Sequence, residues 1–252
     1  MKHLRSLFSI LTFLLLIGCV NTKQFQKPLP KTERIGIVST MDDPYFVEGL
    51  SKGGTENFVR GPFTSNMELR GYTAFLPKYN LDSRITNRIA THLKKLGYTK
   101  IYRLRNPGLS DIWSSHGLDT NAKKFIVRMK KRYRLNKVIV VATHIAEPSL
   151  YKHTFTTDSD SVMGYGIYYP DAWIHHDPWL FANYTVQIVD AKSLKSLAYH
   201  SNMKSHELKN HSQWKPKFSQ LSPNDITNLK RWLTSVVIPA VSTTTQQVLN
   251  AN

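Results

Sequence analysis

The run Val138-Ile139-Val140-Val141-Ala142 constrains this chain more than any other segment. Bounded by Lys137 and Thr143, it is too short for a buried helix and too continuously apolar for a strand with one wet face. A strand of this kind needs cover on both faces, so helices must lie on both sides of its sheet.

The flanking sequence supplies them. Arg34 to Thr40 (Arg-Ile-Gly-Ile-Val-Ser-Thr) reads as another buried strand and Lys100 to Leu104 as a third. Between them, Asp82 or Ser83 can cap a helix in which Ile85, Ile89, Leu93 and Leu96 form one apolar stripe before Gly97. Its Arg84, Arg88, Lys94 and Lys95 face water. A second helix, capped by Asp119, Thr120 or Asn121, runs through Ile126, Met129 and Tyr133 with its basic residues outward. Met163 to Tyr169 and Leu180 to Asp190 are expected to form a hairpin, and Lys195 to Ser201 a further antiparallel strand beyond the Asp190-Ala191-Lys192-Ser193 turn. Ser222-Pro223-Asn224-Asp225 opens the last helix, whose buried face is Ile226, Leu229, Leu233 and Val236 or Val237; Pro239 should kink or end it, with room for the Ser/Thr/Gln-rich tail beyond to continue as a looser helix. Met41 to Arg70 shows no period and reads as a long loop with room for one short strand near Asn57 to Arg60, followed by a strand at Gly71 to Phe75. The order predicts an α/β fold: a three-layer mixed β-sheet with flanking helices, one domain over residues 34–252.

The N-terminus has a different origin. Lys2 and Arg5 precede an apolar run from Leu7 to Ile17, and Leu16-Ile17-Gly18-Cys19 closes the segment. This order of charged, apolar and small residues is that of a secretory signal. The run is about half the length of roughly 20 residues that a membrane-spanning helix needs. Residues 1–18 resemble the signal of bacterial lipoproteins, in which the cysteine after the small residue is acylated and becomes the new N-terminus. The resemblance implies acylation of Cys19, the only cysteine in the chain. Residues 19–33, with Pro28 and Pro30 and no periodicity, would form a lipidated tether. Two or three acyl chains hold a soluble domain on a membrane almost permanently. No aspartate follows Val20, so in a Gram-negative envelope the resemblance to sorted lipoproteins implies the outer membrane, facing the periplasm. An exported chain can form disulfides, yet Cys19 has no second cysteine to pair with, and the fold must stand on its core.

Charge narrows the partners. There are 34 Lys and Arg against 17 Asp and Glu, and the leader holds only Lys2 and Arg5 of these. In the cytosol such an excess would point to nucleic acid. In the envelope it points instead to anionic phospholipid headgroups, lipopolysaccharide phosphates, peptidoglycan carboxylates or an acidic protein, and no nucleic acid partner is expected. The densest basic runs are Lys123-Lys124 and the group Arg128, Lys130, Lys131, Arg132 and Arg134.

An exported lipoprotein with this element order is similar to the α/β domains of the curli-export lipoprotein, of penicillin-binding-protein activator lipoproteins and of the N-terminal part of the Tol-system propeller protein. The segments that carry the likeness are Arg34 to Thr40, the helix near Arg84 to Leu96, Lys137 to Thr143, and Tyr184 to Asp190 with Ser193 to Tyr199. It implies a domain that binds other envelope components and is not an enzyme. Met41 to Arg70 lacks the alternation of a pore-forming strand pair, so no pore is expected.

The best catalytic candidate is His175-His176-Asp177, with His144 and His153 elsewhere in the same half; three such ligands could hold a hydrolytic zinc. Adjacent histidines diverge in most backbone conformations, and no HExxH spacing is present, so an exposed polar loop is the plainer reading and no cofactor is expected. No Gly-x-Ser-x-Gly elbow occurs, Gly49 to Gly54 lacks a phosphate-loop ending, and Asp158 and Asp160 lack the rest of a calcium loop. The aromatic segment from Tyr165 to Tyr184 offers a binding surface, with Trp173 and Trp179 its best exposed candidates and Tyr168 and Tyr169 beside them. Core filling explains the same aromatics equally well.

Overall fold

In the computed structural model, which describes residues 29–41, 45–51, 68–74, 76, 78–109, 113–114, 117–143, 145–146, 162–169, 179–209 and 221–250, the valine-rich run is the centre of the sheet. In chain order the elements are β1 (Arg34–Thr40), β2 (Tyr45–Ser51), β3 (Glu68–Ala74), α1 (Leu81–Lys95), β4 (Lys100–Arg103), β5 (Trp113–Ser114), β6 (Gly117–Leu118), α2 (Thr120–Tyr133), β7 (Lys137–Thr143), β8 (Ile145–Ala146) and β9 (Val162–Met163). β10 (Tyr165–Tyr169), β11 (Trp179–Asp190), β12 (Ser196–Glu207) and a final helix complete the set. That helix comprises α3 (Pro223–Trp232), a π turn (Leu233–Val237) and α4 (Ile238–Asn250).

Eight strands form one mixed sheet of two tiers. In the lower tier β1 lies between β4 and β7, parallel to both, and β7 is antiparallel to β11. In the upper tier β2 pairs antiparallel with β3 and parallel with β10, and β10 is antiparallel to the first part of β11. The two tiers share the β11–β12 hairpin, each arm of which is 12 residues long. Tyr184 of β11 faces Thr143 of β7, whereas Ala182 faces Tyr165 of β10, so β7 and β10 occupy successive stretches of the same strand edge.

Alternation along the lower strands divides the core. Ile35, Ile37, Ile139, Val141, Tyr184, Val186 and Ile188 point to one face, covered by Ile85, Ile89 and Leu93 of α1 and by Leu229, Leu233, Val241 and Val248 of the last helix. Val38, Val138, Val140 and Val189 point to the other, covered by Ala122, Phe125 and Ile126 of α2. The fold is therefore the expected three-layer α/β domain. Gly36 stands where layers are closest: a Cβ there would come within 2.8 Å of Leu135 Cδ1 and 2.9 Å of Leu104 Cδ1. Among the described residues no helix is long and apolar enough to cross a membrane.

Several expectations need correction. Met41–Arg70 is not one long loop: Tyr45–Ser51 is a strand, and β3 begins at Glu68. Glu48 and Gly49 break any alternation in β2, and its order comes from pairing on both edges. The short strand expected near residues 57–60 lies outside the described residues. The cap of α1 is Asn80, whose side chain accepts from the Ser83 amide at 2.6 Å, and neither Asp82 nor Ser83 fills that role. β12 continues six residues past Ser201, to Glu207. Val236 is exposed and Val237 buried. Pro239 does not end the last helix. The π turn carries the chain past the missing N–H, and the hydroxyls of Thr234 and Ser235 donate to the carbonyls of Lys230 and Arg231 in the preceding turn. Asp119 caps α2 and Ser222 opens α3 with a full capping box, both as the sequence implies.

Candidate functional site

β4 is the edge of the lower tier, four residues paired with β1 along one side only among the described residues. α1 stands on one face of this edge and α2 on the other, and the loop 104–109 arches over its end. Local chemistry sets the loop. Asn106 Oδ1 accepts from the amides of Gly108 at 3.1 Å and Leu109 at 2.8 Å, and Gly108 takes φ of 90°. Asn106 Nδ2 reaches Asp82 Oδ2 at 3.4 Å.

Asp82 is the joint of the assembly. Its Oδ1 accepts from Ser39 Oγ at 2.6 Å and from the Met41 amide at 2.7 Å, so one carboxylate ties the end of β1, the first turn of α1 and the loop after β4. A carboxylate in a first helical turn also complements the helix dipole.

The edge opens into a crevice of about 920 Å³ between Thr86 and Asn87 of α1, Arg103, Arg105 and Tyr133. A neighbouring hollow of about 970 Å³ shares Arg105 and Tyr133 and runs on to Arg128 and Arg132 of α2. Lys124 lines the far end, beside Pro107. The floor is braced by stacked cations and rings. Arg34 lies 5.1 Å from the Tyr102 ring, donates to the Tyr102 hydroxyl and reaches the Tyr133 carbonyl at 2.9 Å. Tyr102 and Tyr133 are 5.3 Å apart, and Arg132 sits over the Tyr133 ring at 5.3 Å. Arg103 donates to Asn87.

Among the described residues five cations thus border the crevice, and its one lining carboxylate there, Asp82, already accepts from Ser39, Met41 and Asn106. Guanidinium forks bind carboxylate or phosphate with two parallel hydrogen bonds, and a concave wall of one sign concentrates the field. Among the described residues no histidine or cysteine lines it. The chemistry on offer is recognition of an extended anion.

The sequence-derived candidates among the described residues fall elsewhere. Trp179 is half-buried at the start of β11, opposite Tyr168 of β10 and Glu207 of β12. Tyr169 ends β10 opposite Gly49 of β2. Tyr165, Phe181 and Tyr184 are core residues. Burial pushes the Tyr184 phenol up to about 12, against the hydrogen bond it shares with Thr244. Cys19, Trp173, His175, His176, Asp177, His144 and His153 lie outside the described residues. Among the described residues no three metal-ligating side chains come together. The crevice itself was visible in sequence only as the basic group from Lys123 to Arg134; Arg103 and Arg105 carried no separate signal.

The sequence matches no protein-family profile and no curated protein. The solved structures similar to this chain include the following three. PelC from Paraburkholderia phytofirmans, a dodecamer, is 9% identical with a TM-score of 0.36, over 92% of this chain and 98% of that one. Lipoprotein GNA1162 from Neisseria meningitidis is 14% identical with a TM-score of 0.32, over 84% of this chain and 99% of that one. The hypothetical protein CT253 from Chlamydia trachomatis is 11% identical with a TM-score of 0.34, over 88% of this chain and 99% of that one. None of them assigns a role to a residue of this chain.

Proposed function

We propose that this chain is a lipid-anchored envelope protein, held by an acylated Cys19 at the periplasmic face of the outer membrane, and that it acts as a non-catalytic binding or assembly module. Its partner is an envelope protein or polymer that presents a carboxylate-rich or phosphate-rich segment to the crevice beside β4. The observation that carries this reading is the wall of Arg103, Arg105, Lys124, Arg128 and Arg132 around a hollow whose one lining carboxylate among the described residues is already engaged. The anchor explains where such a module works, and the leader ending in Gly18-Cys19 supports it.

The test is crosslinked capture from envelopes, with the intact lipoprotein compared against an Arg105→Glu, Arg128→Glu variant. Both side chains are at the surface, so the fold should survive. The variant is expected to lose its partner at least about tenfold, since each charge-assisted contact contributes about 1.5–3 kcal/mol, and wild-type capture should weaken with salt. Equal capture by both proteins would refute the crevice as the binding site.

A further inference from the structure

We propose that the end of the domain nearest the anchor is a docking face for anionic phospholipid headgroups, so that the lipoprotein stands upright on its bilayer with the Lys124 end of the crevice pointing away from it. This rests on the acylation of Cys19.

The sheet defines that end. Register places Lys100 opposite Arg34 and Lys137 opposite Ile35, so all three cations lie at the start of β1, β4 and β7, with Asp190 opposite Lys137. Because α1 and α2 run antiparallel to these strands, both helices finish at the same row. Lys94 and Lys95 close α1, Lys131 and Arg134 close or follow α2, and Lys192 and Lys195 flank the β11–β12 turn; all six are exposed. Among the described residues the carboxylates at this end are Glu33 and Asp190, and Asp190 is bound to Lys137 at 2.6 Å. The result is a broad surface of one sign.

The anchor leaves from the same surface. Tyr98 donates to the Leu29 carbonyl at 3.2 Å, and Lys31 lies over the Tyr98 ring at 4.1 Å, which fixes the start of the domain beside the end of α1. Ten residue steps separate Leu29 from Cys19, a reach of at most about 35 Å. The domain cannot drift far from the headgroups, and a surface of exposed lysines held there remains within their field. Each basic residue near an anionic leaflet strengthens association about fivefold at moderate salt. Strands of seven residues then set the far end of the crevice, beside the first turn of α2, about 20 Å above this face.

The acylated full-length protein, reconstituted into vesicles of neutral phosphatidylcholine or of phosphatidylcholine with phosphatidylglycerol, gives the test. Lysine acetylation by a water-soluble reagent is read residue by residue. Lys94, Lys95, Lys131 and Lys195 should react several-fold more slowly on the anionic vesicles, and Lys124 and Lys204, at the opposite end, should not change. Salt should restore reactivity. Equal labelling of all lysines on both vesicle types overturns the docking face while leaving the anchor intact; failure to float with either vesicle defeats the anchor itself. Protection of the same lysines by cell-wall fragments and not by anionic lipid would also overturn the proposal.

Discussion

Replacing Asp190 should expose how the lower tier is clamped to the long hairpin. Its carboxylate accepts four hydrogen bonds: from Lys137 Nζ at 2.6 Å, the amides of Lys192 at 2.9 Å and Ser193 at 2.7 Å, and Ser193 Oγ at 3.1 Å. One oxygen thus closes the β11–β12 turn while the other holds the first residue of β7. Removing all four with Asp190→Ala leaves the half-buried Lys137 ammonium without its partner. A charged hydrogen bond contributes about 1.5–3 kcal/mol, and partial solvation of the pair and of the turn amides keeps the total near the middle of that range, about 2 kcal/mol. Asp190→Asn retains an oxygen for the turn amides and should cost about 1 kcal/mol, the ionic share. Burial raises the proton affinity of Asp190, but the Lys137 ammonium and the Ser193 donors outweigh it and hold the carboxyl well below the usual carboxylate range. A folded-state pKa below the unfolded one stabilises above the unfolded value, about 3.9. That contribution fades as pH falls from about 5 toward the folded value. Urea unfolding of wild type and both variants between about pH 3 and about pH 7.5 measures it, with midpoints shifted and slopes unchanged. The gap between wild type and Asp190→Asn should be largest at neutral pH and should narrow in acid. A gap below about 0.3 kcal/mol at neutral pH, or one that does not vary with pH, would refute the reasoning.

Gly36→Ala should destabilise although it replaces glycine in a strand, because the added methyl meets Leu135 and Leu104 inside a closed layer. Overpacking costs about 1–3 kcal/mol and exceeds the chain-entropy gain of about 0.4–1 kcal/mol; thermal unfolding should move down by several degrees, and Leu104→Val should recover part of it. Arg134→Gly should do the reverse, because Arg134 ends α2 at φ of 55° with an exposed side chain. Relief of the left-handed penalty, about 1 kcal/mol, outweighs the added freedom of the unfolded chain, and a rise in the urea midpoint checks it.

Much of the lower tier could be read directly. Val138 to Ala142 demanded cover on both faces and received it from α1 and the last helix on one side and α2 on the other. Apolar spacing placed α1 and α2, and Ser222-Pro223 with Asp225 marked the start of α3 to the residue. These features are legible because capping and amphipathic spacing act over one or two helical turns, or along one strand. The upper tier was not. β2 carries Glu48 and Gly49 where alternation is needed, and it is a strand because β10, more than 100 residues later, pairs with it. The choice of cap at α1 has the same cause: Asn80, Asp82 and Ser83 are each competent, and Asp82 is drawn away by Ser39 and Met41, at separations of 43 and 41 residues.

The sequence by itself determined the layers, the apolar faces and an excess of positive charge, since these depend on composition and short-range period. Where that charge collects was decided only by tertiary structure. Arg103 ends one strand and Arg105 follows it, Arg128 and Arg132 lie on a helix, and Lys192 and Lys195 flank a turn. Parallel strands bring helix ends and strand starts to one level, and this sorts the cations into a crevice along the β4 edge and a broad face across the strand starts.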